Sequence, residues 1–97
     1  MKAIQFLEPA RLELLEISAF YEEQAPGLGA TFLDIVSAAL ALIRENPDVG
    51  VPHRADTRRL VLPRFPYSLV YLVEARDLFV VAIAHHRRAP GYWEDRR

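Results

Sequence analysis

Arg58–Ala84 reads RRLVLPRFPYSLVYLVEARDLFVVAIA, and its three apolar runs decide the fold. The first, Arg58–Leu62, is closed by Pro63-Arg64-Phe65-Pro66. Proline cannot donate to a sheet ladder, so two of them within four residues predict a rigid turn rather than a binding loop. The second run, Tyr67–Glu74, alternates: Tyr67, Leu69, Tyr71 and Val73 share one face, Ser68, Val70, Leu72 and Glu74 the other. Ala75-Arg76-Asp77 then turns into Leu78–Ala84, which is apolar at every position. Alternation marks a strand with two unlike faces, whereas an unbroken apolar run marks a central strand covered on both. Strand, turn, strand, tight turn, strand is an antiparallel meander.

Downstream, the apolar run ends abruptly in His85-His86-Arg87-Arg88. Ala89-Pro90-Gly91 turns the chain and Tyr92-Trp93 closes it. Such a cluster is held at the end of a buried strand, where side chains are both fixed and reachable. His85 and His86 are neighbours on a strand, so they point to opposite faces and at most one joins any one site. Trp93, with Tyr92, is expected to pin the tail to the sheet.

Upstream, Asp48–Thr57 is the longest loop, and Asn46-Pro47 ends the helix before it. That helix runs from about Gly29 to Arg44. Leu28, Phe32, Ile35, Ala39 and Leu42 form its stripe, with Val36, Leu40 and Ile43 alongside. Alanines 38, 39 and 41 are the expected points of close helix approach. Pro26-Gly27 separates it from an earlier helix, Pro9 to about Glu23, which carries Ala10, Leu14, Ile17 and Tyr21 at helical spacing. Glu13, Glu16, Glu22 and Glu23 fall elsewhere and are expected to be solvated. Lys2–Leu7 is a short first strand, stopped at Glu8-Pro9. The plan is β-α-α-β-β-β, an α+β fold with a two-helix hairpin packed on one face of a mostly antiparallel sheet. One domain is expected to span residues 1–97.

The chain has 97 residues, 52% of them hydrophobic and 26% charged, which excludes disordered and collagen-like classes. No apolar run nears the ~20 residues of a membrane span. The N-terminal apolar stretch is too short and too acidic for a signal peptide, which together with the lack of cysteine points to the cytoplasm. The net charge of −1 hides an asymmetry. Through Asp48, three basic residues face eight acids, a net −5; from Val49 onward, nine arginines face five acids, a net +4. A bipolar molecule is expected, acidic on one side and prepared for an anionic surface on the other. His53, His85 and His86 have no carboxylate or cysteine at ligand spacing, so neither a metal nor another cofactor is expected. The serines lack a nucleophile-elbow motif, and no small-molecule substrate is indicated.

This plan resembles the RelE/ParE superfamily of bacterial type II toxins over nearly the whole chain. The resemblance rests on RRLVLPRFPYSLVYLV (Arg58–Val73) and AIAHHRRAPGYWEDR (Ala82–Arg96), supported by Pro9-Ala10, Phe32-Leu33 and Asn46-Pro47 in the same order. It implies a growth-inhibiting toxin neutralised by a cognate antitoxin that wraps it. ParE-like members poison DNA gyrase; RelE-like members cut messenger RNA on the ribosome without a metal.

Metal-free RNA cleavage needs a base for the 2′-OH, an acid for the leaving oxygen and cations for the phosphorane charge. If the chain is RelE-like, His85, Arg87 and Tyr92 are the catalytic candidates, histidine for its pKa near ~6.5 and arginine for bidentate grip on phosphate. Arg59, Arg64, His86, Arg88 and Trp93 are the candidates for target or antitoxin binding. RelE-like nucleases are similar to one another in lining the sheet with lysines, and the only lysine here is Lys2, far from the signature. YoeB-like relatives instead use a glutamate with late histidine and tyrosine. A ParE-like, target-binding toxin is therefore the first expectation and a ribosome-dependent endoribonuclease the alternative. Arg58 and Arg59 also suit a blocked edge strand. Among Leu7, Leu12, Leu15, Phe20, Val61 and Phe79, some are expected to stay exposed until a partner covers them.

Overall fold

The computed structural model describes residues 2–96. Its elements are β1 (Ala3–Phe6), α1 (Glu8–Gln24), α2 (Leu28–Glu45), β2 (Val51–Pro52), β3 (Arg58–Val61), β4 (Tyr67–Val73), β5 (Asp77–His85) and a last 3-10 turn, Glu94–Arg96. The strands lie in the order β1-β5-β4-β3-β2, with β1 parallel to β5 and every other pair antiparallel. The expected α+β plan holds, both helices covering one face of the sheet. Its one addition is β2, two residues within the long loop, where Val51 and Pro52 pair with Arg59 and Arg58. A two-residue edge strand carrying proline leaves no periodic trace.

The unbroken apolar run is the central strand: β5 lies between β1 and β4. Its alternation is interrupted once. Val70 stands opposite Ala82, but Tyr71 stands opposite Val80, so Val81 is an extra residue and forms a bulge. Consequently Leu78 and Ile83 pack toward the helices, while Phe79, Val81, Ala82 and Ala84 pack on the outer face. The bulge thus decides which way every later side chain of β5 points.

On the helix side, Phe32, Val36, Ala39 and Ile43 of α2 are buried with Leu62, Leu69, Leu78 and Ile83. The buried stripe runs through Val36 and Ile43, and Leu42, expected inside it, is 45% exposed. Phe65 wedges against Tyr21 and Phe32, ring centroids 4.7 and 5.1 Å away and steeply tilted. These edge-on contacts fix the turn between β3 and β4, in which Arg64 takes a φ of 69°. Tyr71 is buried to 1% exposure; its hydroxyl donates to the Pro47 carbonyl (2.7 Å) and accepts from the Gly50 N–H (2.9 Å), anchoring the loop that leaves α2.

Two glutamates expected in solvent do other work. The Glu22 carboxylate accepts the backbone N–H groups of Gly27 (2.9 Å) and Gly29 (3.0 Å), covering the orphan donors at the start of α2. Glu13 turns inward, as described below. The helices approach most tightly at Gly29, where an added Cβ would lie 2.5 Å from the Ser18 carbonyl oxygen. Ala38 and Ala41, two of the expected contact points, are exposed.

Candidate site at the end of β5

The bulge at Val81 sends Ala84 to the outer face and leaves His85 on the helix side. The His85 ring meets Tyr67 edge-on, centroids 5.0 Å apart, and its Nδ1 accepts the Arg87 N–H at 3.0 Å. His86, one residue on, lies on the other side, its Nε2 3.0 Å from the Oγ of buried Ser68. The opposite-face expectation therefore holds. The His86 N–H also donates to the Pro66 carbonyl (2.9 Å), tying the strand end to the rigid turn.

From here the tail folds back over the outer face. Trp93, 3% exposed, packs with Val70, Leu72, Val81 and Ala82, and supplies the packing clasp expected of it. It lies beneath the surface and supports the walls of a site rather than presenting its ring to a partner. What holds the tail is a hub that sequence reasoning missed. The Glu13 carboxylate of α1 accepts the Ile83 N–H (3.0 Å), the Tyr92 hydroxyl (2.7 Å) and both terminal nitrogens of Arg96 (2.8 Å each). Arg96 also donates to the Val81 carbonyl at 3.0 Å.

The need for this hub follows from the sheet. The last bond between the first strand's segment and β5 runs from the Leu7 N–H to the Val80 carbonyl. Beyond it β5 has no strand on that side, and buried backbone groups left unpaired are costly. Glu13 and Arg96, each with a side chain only 14% exposed, stand in for the missing strand. The signal was readable: Glu13 lies three residues after Ala10 and four before Ile17, within the buried stripe. A carboxylate there must find donors.

The electrostatics follow from this arrangement. Burial pushes the Glu13 carboxyl up, but hydrogen bonds from Arg96, Tyr92 and the Ile83 N–H outweigh it and hold the group below its ordinary value. Burial and then the bond to Glu13 push the Tyr92 phenol far up. Its proton is committed to Glu13.

Around the tail lies a cleft lined by His53, Arg59, Ser68, His85, His86 and Arg88, with Ala89–Gly91 along one side. Arg59 reaches it from β3, paired with Val70 on the outer face. The Arg88 guanidinium lies over the Tyr92 ring at 3.9 Å, a cation–π contact that fixes its position. Among the described residues, Arg54, Arg58, Arg11 and Arg96 form salt bridges, whereas Arg59, Arg64, Arg87 and Arg88 have none. The structure thus brings His85, His86, Arg59, Arg88 and Tyr92 together with His53, while Arg64 and Arg87 stand exposed outside the cleft. Burial, then the charges of Arg59 and Arg54, push the His53 imidazole below its ordinary value. The arginines add to what burial alone does to the ring. Lys2 is far away, donating to the Glu74 and Ala75 carbonyls at the β4–β5 turn (2.6 and 2.7 Å).

Chemically, the cleft can hold an oxyanion between two guanidiniums and two imidazoles. Its volume of about 100 Å³ is room for one such group. No three His, Asp or Glu side chains converge on a metal position among the described residues. No helix among them is long and apolar enough to cross a membrane.

Comparison with known proteins places this architecture. A solved structure described as a chromosomal ParDE TA system from P. aeruginosa superposes with a TM-score of 0.74 at 17% identity, covering 88% of this chain and 96% of the other. At that identity the likeness is one of fold. No curated protein matches the chain. Residues 4–90 match the family described as the ParE toxin of the type II toxin–antitoxin system, parDE. That span takes in the helix hairpin, the sheet and the basic strand end, and on it the chain belongs to the ParE toxin family of type II toxin–antitoxin systems.

Proposed function

We propose that this toxin arrests growth in the cytoplasm by binding a protein target such as DNA gyrase, and that a cognate antitoxin neutralises it by covering its surface. The observation that carries the reading is the state of the β5 cleft. Arg59 and Arg88 stand there without carboxylate partners, ready to bind, while the Tyr92 hydroxyl is tied to Glu13. A phenol with a raised pKa and a bound proton is a poor acid or base at neutral pH. The cations around it favour binding over chemistry.

A ribosome-dependent mRNA endoribonuclease is the second reading, favoured by one observation: the His86 imidazole lies in an electropositive cleft between Arg59 and Arg88. Here His85 is poorly placed, since its ring packs on Tyr67 at the helix side. Purified protein in two assays separates the readings. Inhibited gyrase supercoiling with intact translated message is the expected result. Message cleavage seen by primer extension, and lost in His86→Ala and Tyr92→Phe, would select the nuclease. Growth arrest rescued by the neighbouring reading frame checks the antitoxin.

A further inference from the structure

We infer that the cleft at the end of β5 receives a carboxylate side chain from an acidic segment of a protein partner. The inference builds on the cleft being a partner-binding surface, as proposed above, and adds the chemistry that it recognises.

The site is built rather than accidental. Its floor is made of small side chains, Ala84, Val70 and the buried Ser68. Ser68 Oγ fixes the His86 ring from below at 3.0 Å. Arg88 is held against Tyr92, which Glu13 fixes in turn, so one guanidinium is positioned before any ligand arrives. Arg59 faces it across the cleft from β3, and His53 closes the side beside Trp93, ring centroids 5.8 Å apart. Glu94, on the tail nearby, is paired with Arg54 at 3.0 Å, and its charge offsets only part of the effect of Arg59 and Arg54 on His53. Preorganised donors lose little entropy when they close on a planar oxyanion.

Size and charge favour a protein carboxylate over a phosphodiester chain. A nucleic acid is gripped by a track of cations along its backbone, each neutralising a phosphate. Here the cations converge on a space of about 100 Å³, enough for one group. The helix-bearing segment behind, with eight acids against three basic residues through Asp48, repels a long polyanion. A segment with carboxylates spaced among neutral residues escapes that repulsion.

The test is side-chain NMR of the intact protein, following the Nε signals of Arg59 and Arg88 and the ring signals of His53 and His86. Three probes are titrated in parallel: a blocked peptide of alternating Glu and Ala, a single-stranded oligonucleotide of equal charge, and inorganic phosphate. The peptide is expected to shift these signals saturably and more tightly than either other probe. Arg59→Gln and Arg88→Gln should each weaken it roughly two- to fivefold, with thermal unfolding unchanged for Arg59→Gln and slightly lowered for Arg88→Gln, which gives up its contact with the Tyr92 ring. Peptide binding that survives the double variant overturns the inference, as does tighter binding of the oligonucleotide. Gyrase inhibition by a protein that binds no peptide overturns it while leaving the target reading intact. Peptide binding at the cleft by a protein that leaves supercoiling untouched supports it and removes gyrase as the target.

Discussion

If Glu13 is replaced by glutamine, four donors lose their shared charge: two nitrogens of Arg96, the Tyr92 hydroxyl and the Ile83 N–H. The amide offers one oxygen, and its own N–H₂ points a donor at donors. Breaking a buried ion pair costs ~3–5 kcal/mol, and the tail's freedom to relax reduces this, so Glu13→Gln should lower unfolding stability by about 2 kcal/mol. Urea denaturation checks this. The pH dependence has a definite sign. Because Glu13 is held below its ordinary value, its contribution is complete above the usual carboxylate range and is lost as pH falls through the lowered value. Stability of the Glu13→Gln protein should therefore fall less steeply on acidification than that of the parent. At this scale the sequence was legible for His85 and His86, whose opposite faces follow from strand geometry. It misled for Glu13 and Glu22, because glutamate is normally a solvent residue. What buried Glu13 was a set of donors from β5 and the tail, far along the chain, and what docked Glu22 was the backbone at the start of the next helix.

At the scale of elements, the helix hairpin is the clearest case of correct placement with the wrong contact. The stripes on α1 and α2 are legible because burial repeats with the helical period. The crossing point is not, since alanines 38, 39 and 41 suggest close approach while Gly29, which makes it, reads only as the start of the second helix. An added Cβ at Gly29 would lie 2.5 Å from the Ser18 carbonyl oxygen, a backbone atom that cannot swing away. Gly29→Ala should destabilise by about 1–2 kcal/mol even though alanine is the better helix former by ~1 kcal/mol. Ala38→Leu, on exposed helix surface, should cost less than about 0.5 kcal/mol. Reversible thermal unfolding of the two variants decides between the sites. β2 was illegible for a different reason: two residues, one a proline, take strand geometry only because Arg58 and Arg59 lie beside them.

Across the whole molecule, the division of charge seen in the sequence becomes a division of surfaces, with the acid-rich helices on one face of the sheet and Arg64, Arg87 and Arg88 at the end of it where β5 stops. Leu12, Leu15, Phe20 and Leu33 on the helices and Val51 and Val61 near the outer strands remain exposed, a patch pattern that invites a partner. Of the six residues among which some are expected to stay exposed, Leu12, Leu15, Phe20 and Val61 do, while Leu7 and Phe79 are part-buried against the outer-face core. The isolated toxin should self-associate as concentration rises, and the neighbouring gene's product should abolish this by sedimentation velocity; a monomer indifferent to that product would refute it. The bulge in β5 carries a consequence for how such a chain can diverge. Point substitutions leave the phase of the strand alone, and deletion of Val81 would restore unbroken alternation with Ala82 still opposite Val70, so His85 and His86 would keep their faces. The imidazole at the cleft would remain that of His86. Lineages of this fold are thus free to vary letter by letter here, and can shed one residue at the bulge without changing the histidine they present.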